Sequence, residues 1–202
     1  MILLTNNEGT VGVPTTARML AAGVPALDAI EAGIRLIEAD PSVRTVGRGG
    51  WPNLLCELEL DACVMDGATL RTGAVGALKG YLHPVSVARE IMRRLPHEFL
   101  VGEGAARFAD EIGAQAADNL IEDSRRVWQE WFDRTLTPEQ KQAWPDIPLA
   151  ELCRHAIIFL LIWIPRRLSL HFYFFHYRPC WWVPMLQMLS DQTDNALLIS
   201  QR

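Results

Sequence analysis

Glycine is absent after Gly113, although all 14 glycines lie at or before it, and Asp191 and Asp194 are the only acids after Glu151 in a chain of 202 residues. The last quarter therefore lacks the turn chemistry and acidic surface of the rest. There is no basic excess either. A formal net charge of −5 and a pI near 5.5 exclude the electrostatic footprint of a nucleic-acid binder. Cysteine is sparse: Cys56, Cys63, Cys153 and Cys180 form no CxxC pair and no metal-ligand rhythm. Reduced, buried thiols are expected, with no metal and no cofactor. Gly102, Glu103 and Gly104 lack the Lys and Ser/Thr of a phosphate loop, so Glu103 reads as an acid in a helix's first turn. No apolar run is long enough to cross a bilayer, since Ala156 to Ile164 is nine residues against the roughly 20 required. The N-terminal MILLTNNEG has no basic leader, so a cytoplasmic location is expected, a mature periplasmic or lysosomal-like form being the alternative.

What is present is concentrated between Val46 and Gly67, VGRGGWPNLLCELELDACVMDG. Gly47, Gly49 and Gly50 are crowded where only glycine permits positive φ or close backbone approach. Pro52 then fixes φ and Asn53 favours a turn. Leu58, Leu60, Ala62 and Val64 alternate with Glu57, Glu59, Asp61 and Cys63, the period of a strand with one buried face. By periodicity the three acids are a solvated strand face. Asp66 and Gly67 read as a type I′ hairpin signal, with Ala68 to Val75 as the returning strand and Asp61 and Asp66 as structural residues of the hairpin.

The remaining elements mix helices and strands. Ile2 to Thr5 reads as a short strand and Pro14 to Ala22 as a helix closed by Gly23. Pro25 opens a second helix whose Leu27, Ile30, Ile34 and Ile37 recur at helical spacing. Pro84 opens a third with Ala88, Ile91, Met92 and Leu95 on one stripe, and Phe99 to Val101 is a strand. Ala105, Phe108, Ala109 and Ile112 mark a helix ended by Gly113. Another begins near Ser124, where Trp128 and Trp131 are expected as core or interface anchors. Thr137, Pro138 and Gln140 spell a capping box. His83 and His97 flank prolines and are read as capping or surface groups.

VGRGGWPN, ELDACVMDG, GAVGALKG, HPVSVAREIM and PHEFLVGEGAARFADEIG follow one another in an order that resembles the α-subunit half of the glycosylasparaginase and isoaspartyl peptidase/asparaginase family of N-terminal nucleophile hydrolases. The similarity runs from about Leu3 to His155, and the VG, GG and PN of the loop lean to the glycosylasparaginase branch. It implies an α+β fold, part of a four-layer αββα sandwich. It also implies hydrolysis of the amide bond of β-linked asparagine derivatives. In such enzymes autoproteolysis frees a threonine whose hydroxyl attacks the amide carbon, its own α-amine serving as base. The implied partners are a small-molecule asparagine derivative and a β-subunit, or a homo-oligomer in its place. The corresponding loop coordinates sodium in plant-type relatives, but the loop here differs, and no ion is assigned to it.

Two departures qualify this expectation. His155 matches the residue before the family's cleavage motif, but Ile157 stands where threonine is expected, and the next threonine is Thr193. Near the N-terminus, Asn6 and Glu8 occupy positions that are aromatic in the glycosylasparaginase branch. By resemblance they are the candidate substrate-binding residues, and by residue type they are a solvated turn. The chain is thus expected to hold an α-subunit-like part, residues 1–155, and a poorly structured apolar tail, residues 156–202, that could reach a membrane surface and is expected to arise from a change of reading frame. Translating the encoding DNA in its other two frames past codon 155 is then expected to reveal a threonine-led, glycine-rich continuation; finding none in either frame excludes that origin.

Overall fold

The computed structural model describes residues 2–148, 150, 151 and 196–200, the last five through their backbone. The chain divides into two compact units, one running to Trp128 and resumed by C-terminal residues, the other beginning at Gln129. Among the described residues no helix is long and apolar enough to cross a membrane.

A 3-10 turn, Asn7–Val11, leads into α1 (Val13–Ala21) and α2 (Ala26–Ala39). Strands β1 (Leu60–Asp66) and β2 (Arg71–Leu78) follow, then α3 (Pro84–Arg94), β3 (Phe99–Val101) and α4 (Gly102–Glu111). Helix α5 (Glu122–Thr135) precedes α6 (Pro138–Ala143), and β4 (Ala196–Ser200) lies beside β1. The strand order is β3-β2-β1-β4. β1 is antiparallel to both neighbours, whereas β2 and β3 are parallel, with α3 as the crossover a parallel pair requires.

The termini of these helices follow local chemistry. Gly23 and Gly113, at φ +78° and +67°, close α1 and α4, and Thr137 and Gln140 form a reciprocal capping box on α6. In the second unit, the Phe132 and Trp144 rings meet edge to face at 5.3 Å.

The core lies on one face of the sheet. Leu60, Ala62 and Val64 of β1, with Val75 and Leu78 of β2, pack against Val85, Val87, Ala88, Ile91 and Met92 of α3 and Ala105, Phe108 and Ala109 of α4. Leu78 and Ile91 are fully buried, and each aliphatic side chain of this size contributes about 1.5–3 kcal/mol when withdrawn from water. The sheet accommodates α3 closely because Gly73 has no Cβ. One built there would lie 2.2 Å from the Ala88 carbonyl oxygen and 2.6 Å from Met92 Cβ.

Three local expectations are corrected. Ile2 to Thr5 forms no strand, because none of the described strands pairs with it, and Ile2 and Leu4 are exposed. The connection after β1 is not a two-residue type I′ turn: Asp66 pairs with Arg71 across a four-residue loop. Asp66 itself organises that loop, its Oδ1 accepting the Ala68 N–H at 3.0 Å and its Oδ2 the Thr69 hydroxyl at 2.7 Å, while Leu70, not Gly67, takes positive φ. The returning strand consequently spans Arg71–Leu78 instead of Ala68–Val75. Asp61 does belong to the hairpin, at a register shift between Leu60 and Ala62, where its Oδ1 accepts the Ala77 N–H at 2.8 Å.

Substituting Gly73→Ala is expected to destabilise the fold by about 1–3 kcal/mol through overpacking against α3. The midpoint of urea unfolding measures it, and an unchanged midpoint would show that α3 does not sit this close to the sheet.

Candidate functional site

The glycine loop is held from three directions. Gly47 and Gly49 have φ of +61° and +83°. A Cβ on Gly47 would stand 2.1 Å from the Glu38 carbonyl oxygen, which instead accepts the Arg48 N–H at 2.7 Å. Gly49 N–H donates to the Asn119 carbonyl at 2.8 Å, and its own carbonyl accepts the buried Ser124 hydroxyl at 3.0 Å. Gly50 N–H closes onto the Gly47 carbonyl at 3.2 Å. The Arg44 guanidinium lies 5.1 Å from the centre of the Trp51 ring and 2.9 Å from the Asp123 carboxylate, bracing the loop's outer side.

Asn53 then redirects the chain toward β1. Its Oδ1 accepts the N–H groups of Leu55 and Glu57 at 2.9 and 3.0 Å, and its Nδ2 donates to Glu59 at 3.1 Å. Glu57 and Glu59 also meet Lys79 at 2.6 and 3.2 Å, an exposed pairing that suits a solvated strand face. Trp128 is half-buried, its indole N–H donating to the Leu54 carbonyl at 3.2 Å.

Asn6 and Glu8 reach this loop unequally. Asn6 caps the 3-10 turn, accepting the Gly9 N–H at 3.0 Å, whereas Glu8 accepts the Thr45 hydroxyl at the start of the loop. His155 and Ile157 lie outside the described residues, as do Cys153 and Cys180. Cys56 and Cys63 are half-buried and form no disulfide, and burial raises both thiols above their ordinary range. Gly67 lies in the loop that joins β1 to β2, Glu103 in the first turn of α4 and His97 at the surface. Among the described residues no cluster of three His, Cys, Asp or Glu could hold a metal.

Sequence reasoning missed the buried pair that supports the loop from beneath. Glu38 is fully buried and His83 is nine-tenths buried, so His83 is not a surface group; it holds the N-cap position of α3 through its main chain, with no side-chain capping bond. Glu38 Oε1 accepts the Val85 N–H at 3.0 Å in the first turn of α3, and Oε2 stands 3.3 Å from His83 Nδ1. The signal was available, since Glu38 follows Ile34 by four residues on the apolar stripe of α2. Burial pushes the Glu38 carboxyl well above the usual range, against opposing contributions from the Val85 N–H and Arg35. Burial, then the Arg35 charge, pulls His83 down to about 4. A contact of ion-pair length is thus a neutral pair that holds one proton, because an unshielded charge here has no water to solvate it.

That single proton fixes how the pair contributes to stability. Between pH 4.5 and 6.5, the ordinary values of the two groups, the unfolded chain also carries one proton, on His83, so the contribution is level. Above pH 6.5 the unfolded chain carries none while the folded pair keeps one, and stability falls by up to about 1.4 kcal/mol per pH unit until the pair releases it. In Glu38→Gln this alkaline fall is expected to vanish. It is replaced by a loss below pH 6.5, where the unfolded histidine protonates and the buried one does not. Urea unfolding across this range measures both slopes, and parallel curves for the two proteins would refute the single proton on the pair.

A family model described as asparaginase matches residues 10–152, and the chain belongs to that family. Among curated relatives it is 40% identical over 132 residues to N(4)-(Beta-N-acetylglucosaminyl)-L-asparaginase of Elizabethkingia miricola, covering 65% of this chain and 38% of that protein. It is 39% identical over 114 residues to Plant-type L-asparaginase of Pyrococcus abyssi, covering 56% and 37%. With Isoaspartyl peptidase/L-asparaginase of Danio rerio it shares 36% over 142 residues, 67% and 46%. The chain therefore spans less than half the length of each of these relatives.

Proposed function

We propose that this chain is the scaffold half of an amidohydrolase that cleaves the amide bond of β-linked asparagine derivatives, in the manner of the N(4)-(β-N-acetylglucosaminyl)-L-asparaginases. The match over residues 10–152 carries this reading, with the glycine loop and β1, which the structure shows braced by Glu38, Asn119 and Ser124. The described α+β unit then corresponds to part of an αββα sandwich, with residues 1–155 as the family-like part and the rest as the tail.

No threonine lies between His155 and Thr193, and in this reading the nucleophile is supplied by a second polypeptide or by a continuation in another frame. There, the threonine hydroxyl attacks the amide carbon as its own α-amine takes the proton. The amine leaves protonated, and water releases aspartate from the acyl intermediate. Glu8 favours a second reading within the same chemistry. A carboxylate bound to Thr45 beside the loop, where the glycosylasparaginase branch has an aromatic residue, suits an isoaspartyl dipeptide or asparagine better than a sugar-linked substrate.

The purified chain is expected to release no aspartate from glycosylasparagine or isoaspartyl dipeptides. Adding a polypeptide that begins with the catalytic threonine of the Elizabethkingia relative is expected to restore release, and the ratio of the two substrates separates the two readings. Turnover by the chain alone would overturn the assignment of the nucleophile.

A further inference from the structure

A cavity of about 360 Å³ opens between α2, α3 and the segment after α4, well away in sequence from the glycine loop. This is the compact end of the range for small-molecule sites. Glu31 and Arg35 of α2 meet His83, Ser86, Glu90 and Arg94 from the start and the length of α3, and residues 112–115 close the far side.

The acids of this wall are already engaged. Glu31 Oε1 accepts the Ser86 hydroxyl at 2.5 Å and its Oε2 accepts Arg89, while Glu90 Oε1 accepts Arg93 at 2.9 Å and its Oε2 accepts Arg94. Each oxygen of both carboxylates thus has its donor. Arg35 differs, because it is half-buried and among the described residues no carboxylate lies within ion-pair distance of it. Its Nη1 donates to Ser86 Oγ at 2.8 Å, which leaves the N–H groups of Nε and Nη2, parallel donors on one side of the planar fork, without a partner among the described residues. Charge points the same way. Asp28, Glu31 and Glu90 are set against Arg35, Arg89, Arg93 and Arg94, so one positive charge is in excess around the cavity.

We propose that this cavity binds a small carboxylate, a monoanion with a short apolar chain, through the Nε and Nη2 side of Arg35. The unused groups select this class. Two parallel N–H donors match the two oxygens of a planar carboxylate, and a single negative charge matches the excess. A dianion would bring a second charge beside Glu31 and Glu90 with nothing to neutralise it. An ammonium would meet no open acceptor and lose its water. Ile112 and Ala114 supply an apolar patch for the short chain. His83, also in the wall, feels the occupant: after burial, the Arg35 charge is what opposes its protonation, and a carboxylate on the guanidinium offsets that charge. His83 lies against Glu38, whose carbonyl accepts the Arg48 N–H, so this wall is joined to the glycine loop through Glu38.

The site is independent of the proposed hydrolysis and is tested without it. Titration of the full chain with sodium propionate at constant ionic strength, followed by the carbon NMR signal of the His83 ring, is expected to give a saturating shift. Propylamine is expected to give none. L-Alanine, with its unmatched ammonium, and inorganic phosphate, with its second charge, are each expected to bind at least about tenfold more weakly than propionate. Arg35→Lys, which keeps the charge but loses the parallel donors, is expected to weaken propionate by about tenfold, and Arg35→Gln to abolish saturation. Should Arg35→Gln fail to fold, the comparison of the four ligands on the unaltered chain decides alone. A shift that stays linear in propionate, L-alanine or phosphate binding as tightly as propionate, or an unchanged affinity in Arg35→Lys would each overturn the proposal.

Discussion

Glu38 has no access to water, and each of its polar ends is committed to a different segment. Its carboxyl meets the first turn of α3 and the His83 ring, while its main-chain carbonyl receives the Arg48 N–H beneath the glycine loop. An isolated buried carboxylate costs several kcal/mol, and the protein avoids that cost by keeping the acid neutral against an imidazole. One residue of α2 thus sets where α3 begins and where the loop turns. The sheet comes next in this hierarchy: α3 lies on β1 and β2 only because Gly73 leaves room for Ala88 and Met92. The cavity follows from both, since its two long walls are α2 and α3.

Much of this was legible in the chain. The helices are marked by prolines at their first turns, by glycines past their ends and by apolar residues at spacing three and four, all local signals. Strand β1 was legible through its alternation, and the family through ordered motifs. The hairpin turn was not, because Asp66 and Gly67 form a two-residue turn only if the partner strand starts at once. Asp66 instead binds Ala68 and Thr69 and lengthens the loop. The strand expected at Ile2 to Thr5 failed for a related reason, since a strand exists only with a neighbour and periodicity does not report one. His83 escaped notice because its burial depends on an acid 45 residues away in sequence, a separation that no window spans.

The family resemblance and the geometry address different parts of the chemistry. The loop, β1 and the packed helices form a support whose hydrogen bonds are met largely within the described residues. The groups that would perform the attack are not among them. Asn6 is used by the 3-10 turn and Glu8 by Thr45, so both have structural duties even if a substrate also meets them. The support is stabilised by burial on α3 and α4.

The position of β4 constrains how any complementing polypeptide could join this chain. β1 lies inside the sheet, with β2 on one side and residues 196–200 on the other, so both rows of its backbone N–H and C=O groups face a neighbouring strand. A foreign strand seeking β1 finds no open template there. It has to peel away Ala196–Ser200 from one end and replace it pair by pair, as in strand displacement in a duplex. Any such addition would be an exchange reaction in which β4 is the strand replaced.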